Sequence, residues 1–244
     1  MEFINLSEEN IDSEHLCCII RNKTGHEGIE AKRQWLSARI KEGHVFRKLD
    51  QRECVFMEYA PLETAWVPIV GENYYYIYCL WVQKKGNGYG KELMEYCIAD
   101  AKANGKSGIC MLGSDKQKNW LSDQKFAQKY GFNKVDSTGD GYNLLALSFD
   151  KTVPKFSDTV KQKTDKAGLT AFYDYQCPYI PQRIEKLREY CTWHGIPAEF
   201  VLVDSLEKAK NLPCVFNNWA AFYDGKFISV NQLDGSSLER FIRK

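Results

Sequence analysis

Two rhythms of apolar positions run along this chain. In EFINLS, HVFRKLD, ECVFMEY and TAWVPIV they alternate or cluster over a few residues, which predicts short strands. In GIEAKRQWLSARIKEG, Ile29, Trp35, Leu36 and Ile40 fall at roughly helical spacing, and Gly43 supplies a stop. YYYIYCLWV is aromatic and β-branched with no polar relief, the pattern of a strand covered on both faces. KELMEYCIADAKANG then places Leu93, Met94, Cys97, Ile98 and Ala101 at helical spacing, with Gly105 at its end. SGICML predicts another strand, WLSDQKFAQKYGF a helix capped by Ser122 and stopped at Gly131, and NLLALSF a closing strand.

From Asp150 to Gly168 the text turns lysine-rich and poor in aliphatics, which predicts a boundary: residues 1–150, a linker at 151–167, and a second domain at 168–244. In that second part LTAFYDY and AEFVLVD read as strands, PQRIEKLREYCTWHG and SLEKAKN as helices. CVFNNWAAFYDG and KFISVNQL flank a hairpin turn at Asp224-Gly225, and SSLERFIRK makes a terminal helix. The predicted order is βαβαββα.

The composition of the 244 residues, 44% hydrophobic and 27% charged, is that of an ordinary globular protein with room for one large core or two small ones, and the succession of predicted strands and helices makes it α/β. A formal charge of +1 provides no global field for nucleic acid or an anionic membrane, so any anion site has to be local. The acidic start MEFINLSEENIDSEH lacks the character of a signal peptide, and no apolar run is long enough to span a membrane; a cytoplasmic protein is expected. Nine cysteines without a C-x-x-C pair read as reduced thiols, and neither vicinal Cys17-Cys18 nor His15, His26, His44 and His194 has ligand spacing, so no metal is expected.

Local anion chemistry concentrates in WVQKKGNGYGKELM. A strand ending at Val82, a loop holding Gly86, Gly88 and Gly90, and a helix starting near Lys91 gather backbone N–H groups at a helix N-terminus, where they suit a phosphate. Lys84, Lys85 and Lys91 add screened charge. No Gly-Lys-Ser/Thr follows, and Lys91 holds the position where a dinucleotide fingerprint wants its third glycine.

K-G-N-G-Y-G-K-E-L-M, Lys85 to Met94, resembles motif A of the GNAT superfamily of acetyl-CoA-dependent N-acetyltransferases, and K-F-A-Q-K-Y-G-F, Lys125 to Phe132, resembles that family's Y-x-K-x-G-F type ending. The resemblance spans roughly residues 1 to 150 and implies a mixed, mostly antiparallel central sheet flanked by helices. It implies that Lys85, Gly86, Asn87, Gly88, Tyr89, Gly90 and Lys91 hold the pyrophosphate of coenzyme A through their amides. Leu80, Trp81 and Val82 would pair with its pantetheine arm, an N–H near Val82 would polarise the thioester carbonyl, and Ser122, Lys125 and Phe126 would line the other wall. The family's general-acid tyrosine falls on Ala127 and its common asparagine on Trp120. The arrangement is most similar to the GNAT subgroup with a carboxy-terminal YoaP-like domain.

Candidates for proton handling are Glu58, Glu63 and Asp115 as acceptors, and Tyr59 and Tyr142 as donors to the departing thiolate. Solvated carboxylates and wall tyrosines have the same sequence signature, and the sequence does not choose between these readings.

Cys177-Pro178 between a strand and a helix, with Leu212-Pro213 before the hairpin, is similar to the thioredoxin or glutaredoxin fold. That resemblance implies a cis Pro213 facing Cys177, and a cysteine at a helix N-terminus would have a lowered pKa. Ile180 replaces the second cysteine of C-P-Y-C, which leaves monothiol chemistry, a resolving partner such as Cys214, or no redox role; Pro181 would start the helix late. The leading expectation is direct acetyl transfer from acetyl-CoA to a small-molecule or peptide amine. The alternatives are a coenzyme A-binding sensor or scaffold, and a thiol-redox protein using Cys177.

Overall fold

A computed structural model describes residues 2–18, 27–51, 53–83 and 85–243. The chain begins with β1 (Phe3–Asn5), α1 (Glu27–Ile40), β2 (Val45–Leu49), β3 (Val55–Pro61) and β4 (Ile69–Val70). It continues through β5 (Tyr74–Val82), α2 (Tyr89–Ala103), β6 (Gly108–Ser114), α3 (Gln124–Gln128), β7 (Asn133–Ser137) and β8 (Tyr142–Ser148). Seven of these strands form one sheet, ordered β1-β2-β3-β5-β6-β8-β7 and antiparallel except at β5–β6. This is the mixed, mostly antiparallel sheet expected.

Strand parity explains why the aromatic run is buried. Tyr75 and Ile77 of β5 share a core with Met57 and Tyr59 of β3 and with Leu93, Met94 and Cys97 of α2. Tyr74, Tyr76 and Tyr78 point the other way, into a core with Phe56, with Trp35 and Leu36 of α1, and with Val215 and Val230 from the second half. A side-chain period of two therefore buries both faces, one under α2 and one under α1 and the carboxy-terminal half. Glu58 has the parity of Phe56 and Ala60, so its carboxylate faces the second half.

Some elements differ from the pattern-based expectation. Of TAWVPIV only Ile69–Val70 is strand. NKVDS forms β7 although it is polar, because an edge strand needs only one hydrogen-bonded neighbour, here β8. The helix expected from Ser122 begins at Gln124 and lasts five residues, since Asp123, not Ser122, caps it by accepting the Lys125 N–H at 2.9 Å.

The second half follows the predicted order: β10 (Leu169–Tyr173), α4 (Ile180–Trp193), β11 (Ala198–Leu202), α5 (Leu206–Lys210), β12 (Trp219–Tyr223), β13 (Lys226–Ser229) and α6 (Gly235–Ile242). Its sheet runs β11-β10-β12-β13, with β10–β11 parallel and the other pairs antiparallel. At the hairpin, Asp224 and Gly225 both take positive φ, 45° and 74°, as the turn signal required. Pro213, by contrast, is trans: no cis peptide bond occurs among the described residues.

Residues 151–167 are bound on both sides. β9 (Lys155–Phe156) pairs with β4, Gln162 donates to Asp140 and accepts from the Val215 N–H, and the Thr164 N–H reaches the Gly225 carbonyl. Further bonds join the halves directly: Tyr76 Oη donates to Asn217 Oδ1 at 2.7 Å, and Asn217 Nδ2 to the Tyr78 carbonyl at 3.0 Å. Lys210 Nζ caps the carbonyls of Leu62 and Ile69. Among the described residues no helix is long and apolar enough to cross a membrane.

Candidate active site

β5 and β6 pair only from Tyr74–Gly108 to Ile77–Met111, yet β5 runs on to Val82 and β6 to Ser114. The two strands therefore part, and the unpaired edge of β5 opens a cleft. A register shift against β3 at Glu58/Tyr59 accompanies the parting and leaves Tyr78 opposite no partner, so Tyr78 and Cys79 both lie on the second-half side. Burial follows. Tyr74–Tyr78 are enclosed on both faces as the sequence implied, but Cys79, Leu80 and Val82 are half-buried and Trp81 is 38% exposed. The Gln83 N–H bonds back to the Cys54 carbonyl at 3.1 Å, and strand alternation then turns the Leu80 and Val82 N–H groups toward the open edge. Ser122 Oγ accepts the Leu80 N–H at 3.2 Å, which is the use the chain makes of Ser122 in place of helix capping.

At the end of β5 the glycine loop reaches α2. Gly86 and Gly88 take φ of 91° and 79°, a region open to glycine and strained for L side chains, and Gly88 is the N-cap of α2 with no side chain to satisfy the first amides. A Cβ at Gly90 would stand 3.4 Å from Phe126 Cζ and 3.6 Å from Val82 Cγ2, so Phe126 and Val82 wall the loop. Lys85, Asn87 and Lys91 are exposed, and Lys91 is in ion-pair range of Glu95. The Tyr89 ring turns inward to meet Phe3. Lys125 is exposed on α3, and Lys84 lies outside the described residues.

Beside the β5 edge lies a cavity of about 290 Å³ built by both halves. The first half contributes Cys17, Cys18, Glu58 and the Tyr78–Trp81 segment, together with Trp120 and Ser122; the second contributes Gln176, Cys177, Pro178, Asn217 and Asn218. Trp120, where the family asparagine was expected, is in edge contact with Tyr179 and closes one side.

Among the described residues lining this cavity Glu58 is the charged group, and it is 2% exposed. Its Oε2 accepts from Lys32 Nζ at 2.6 Å and from His44 Nε2 at 3.2 Å; its Oε1 accepts from Gln176 Nε2 at 3.0 Å. Burial pushes the Glu58 pKa up, but Lys32 and His44 outweigh it and hold the carboxyl below its ordinary value. Burial pushes His44 down against the pull of Glu58, so the imidazole is neutral and donates through Nε2. Asn218 Nδ2 donates to Gln176 Oε1 at 2.7 Å, which fixes the amide that reaches Glu58.

Cys177 sits in the turn before α4, whose N-cap is Tyr179, and is therefore outside the first helical turn, as Pro181 foretold. Its thiol is raised, not lowered: burial dominates the opposing hydrogen bonds from the Tyr179 N–H and the Gln232 amide. It is faced by Asn217 and Asn218 across the cavity, while Pro213 is engaged with residues 161 and 162 through its carbonyl. Cys214 belongs to a separate apolar cluster and does not line the cavity. Among the described residues no disulfide forms.

The remaining candidates have other work. Glu63 is exposed and accepts the Asn73 N–H, Asp115 accepts from Asn143, and Tyr59 donates to Asp100 on the α2 side of the sheet. Tyr142 accepts the Val230 N–H and stacks edge-on with Phe227, joining the halves outside the cavity. Sequence reasoning missed Lys32, His44 and Gln176. Lys32 carries no signal beyond its place on the inner face of α1, and Gln176 was legible only as the neighbour of Cys177.

Residues 15–132 match the model of the Acetyltransferase (GNAT) family and residues 197–240 the YoaP-like model. Among solved structures, similarity extends to a GNAT family acetyltransferase from Brucella melitensis in complex with acetyl-CoA, 12% identical, covering 64% of this chain and 94% of that one with a TM-score of 0.40. It extends also to PaiA N-acetyltransferase from Thermoplasma acidophilum in complex with coenzyme A, at 14% identity, 61% and 100% coverage and a TM-score of 0.42. Over 247 aligned residues the chain is 35% identical to an uncharacterized N-acetyltransferase, YoaP, from Bacillus subtilis (strain 168), covering 99% of this chain and 98% of the relative. With the family match over its first half and this relative along its length, the chain belongs to the GNAT acetyltransferase family and is a transferase.

Proposed function

We propose that this transferase moves acetyl from acetyl-CoA to the nitrogen of a small-molecule amine held in the cavity between its two halves. The observation that carries the reading is that one cavity joins the open edge of β5 to the buried carboxylate of Glu58. The backbone amides from Lys85 to Lys91, gathered at the Gly88 N-cap, suit the pyrophosphate, and the Leu80 and Val82 N–H groups suit pantetheine and the thioester oxygen. To make that contact at Leu80, the ligand displaces Ser122 Oγ from the amide it now satisfies.

Glu58 is held below its ordinary pKa, so it orients an amine by accepting its hydrogen bond and does not strip a free ammonium. Once the nitrogen bonds the carbonyl carbon its acidity rises steeply, and the carboxylate becomes an adequate acceptor. Ala127 is buried in the core under α2 and supplies no proton to the departing thiolate. The cavity's volume of about 290 Å³ favours a small amine over a protein amino terminus.

The second half reads as a thioredoxin-like domain joined through residues 151–167 to an acetyl-CoA-binding domain at 1–150. Its βαβαββα order and its β11-β10-β12-β13 sheet support this. In this reading it serves as the lid of the acceptor cavity, because Gln176, Cys177, Asn217 and Asn218 all come from it.

Calorimetric titration with acetyl-CoA, followed by measurement of amine-dependent coenzyme A release across small amines and peptide amino termini, tests the proposal. The expected result is tight acetyl-CoA binding with release driven by small amines alone. Release driven only by peptides would overturn the acceptor class, and tight binding with no release by any amine would point to a sensor.

A further inference from the structure

Hydrogen-bond direction at the seam is fixed from Glu58 outward. An ionised carboxylate only accepts, so the Gln176 amide presents its nitrogen to Glu58 Oε1, at 3.0 Å, and its oxygen to Asn218, whose Nδ2 donates at 2.7 Å. With its nitrogen engaged, Asn218 has Oδ1 as its open end. Asn218 lines the cavity, is 7% exposed and is held at its backbone carbonyl by the Asp174 N–H. Its Oδ1 nevertheless accepts from no described residue and stays within reach of the cavity. Asn217 beside it differs: its Oδ1 accepts from Tyr76 Oη and its Nδ2 donates to the Tyr78 carbonyl, so neither end is open.

Glu58 has an open position as well. Its Oε2 is filled by Lys32 and His44, whereas its Oε1 accepts from Gln176 alone. The two open acceptors, Glu58 Oε1 and Asn218 Oδ1, therefore flank a single amide group, that of Gln176. A polar acceptor nine-tenths buried and left without a donor is destabilising, so its retention on a cavity wall points to a ligand that donates there.

We infer that Asn218 is a specificity-determining residue of the acceptor site: its Oδ1 takes the N–H that the amine keeps in the amide product, while Glu58 Oε1 takes the N–H that is lost. This rests on the acetyl-transfer reading of the cavity. A neutral amine with both hydrogens so held has its lone pair left for the carbonyl carbon. As that pair forms the carbon–nitrogen bond, the carbon–sulfur bond breaks, its electron pair leaves on the coenzyme A sulfur, and the proton on the Glu58 side passes to the carboxylate. The remaining N–H, now part of the amide, still bonds Asn218 Oδ1. A nitrogen that carries a methyl group has one hydrogen to give and leaves one of the two acceptors empty. The group that reads the acceptor nitrogen thus comes from the carboxy-terminal half, which gives the lid a part in substrate choice.

Matched amine pairs test this: full-length protein saturated with acetyl-CoA is assayed for coenzyme A release with benzylamine against N-methylbenzylamine and butylamine against N-methylbutylamine. The wild type is expected to use the primary member of a pair better by on the order of tenfold or more in kcat/KM, the worth of one hydrogen bond to a buried acceptor. Asn218→Leu, close to isosteric, lowers the primary amine's kcat/KM on the order of tenfold and leaves the N-methyl amine's within about twofold, so the preference collapses. Asn218→Asp keeps the preference: beside the ionised Glu58 its carboxyl stays protonated, donates to Gln176 Oε1 and turns its carbonyl oxygen to the cavity. Both variants are expected to bind acetyl-CoA with wild-type affinity by calorimetry, which establishes that they fold. A preference that survives in Asn218→Leu would overturn the inference, because it would show a methyl group refused for its size, or Asn218 acting only as a support for Gln176. Collapse in Asn218→Asp as complete as in Asn218→Leu would overturn it too. Release of coenzyme A by no amine, from wild-type protein that binds acetyl-CoA, would instead bring down the transfer reading beneath it.

Discussion

Gln176, in the turn that follows β10, donates its side-chain amide to Glu58 Oε1 across the seam between the halves at 3.0 Å. The two residues are 118 positions apart in the chain, and their bond ties the carboxy-terminal half to the charged centre of the amino-terminal one. Gln176→Leu leaves a buried carboxylate oxygen and Asn218 Nδ2 without their partner. It is expected to lower stability by about 1.5–3 kcal/mol, as for lost hydrogen bonds to charged groups, measured by urea unfolding. A change below about 0.5 kcal/mol, the range of ordinary surface substitutions, would mean that the bond does not couple the halves.

The glycine loop gives a contrast between backbone and charge. Gly88 has φ of 79°, and Gly88→Val strains that conformation and withdraws the loop amides from a phosphate. Losing one or two charge-assisted hydrogen bonds predicts coenzyme A affinity reduced on the order of tenfold to a hundredfold by calorimetry. Lys91→Ala removes an exposed side chain 3.8 Å from Glu95 and is expected to change affinity by about twofold or less, chiefly in its salt dependence. Equal small effects from both variants would remove pyrophosphate from this loop.

Ser122 Oγ occupies the amide of Leu80, which a pantetheine arm would need. Ser122→Ala frees that N–H, so coenzyme A is expected to bind as tightly as to the wild type or up to about tenfold more tightly, the worth of one hydrogen bond. A tenfold loss of affinity would show that the hydroxyl serves the ligand directly.

Asp174 is fully buried, its Oδ1 accepts the Gln176 N–H at 2.9 Å, and its Oδ2 has no partner. Burial raises its pKa from 3.8 to about 8. At pH values between these two the folded chain keeps a proton that the unfolded chain has released, so stability declines as pH rises through that window, by at most about 1.4 kcal/mol per unit. Asp174→Asn removes the decline. In urea unfolding its stability relative to the wild type should improve between about pH 5 and about pH 8. A relative stability that does not change with pH would place the proton elsewhere.

The legible parts of the fold were those written in local spacing. KELMEYCIADAKANG announced α2 by its apolar face, although the helix starts two residues earlier, at Tyr89, because Gly88 rather than Lys91 marks its entry. Asp224-Gly225 announced its hairpin because the turn demands positive φ, and the βαβαββα succession of elements in the second half matches the expectation. β7 and β9 were not legible, since strands that pair at an edge need no apolar pattern. The pKa of Cys177 was misjudged because sequence shows proximity to a helix but not burial.

By itself the sequence determined the glycine loop and the sheet with its α2 cover. These are set by glycine conformation and by periodicities of 3.6 and two, which act over a few residues. Tertiary structure decided which groups share the cavity. Glu58, Gln176 and Cys177 line it from β3 and the turn after β10, Lys32 of α1 backs Glu58 from behind, and a seam of long-range hydrogen bonds and a shared core brings them together. Burial at that seam, which no local pattern encodes, makes Glu58 an ion-paired anchor and Cys177 a protonated thiol.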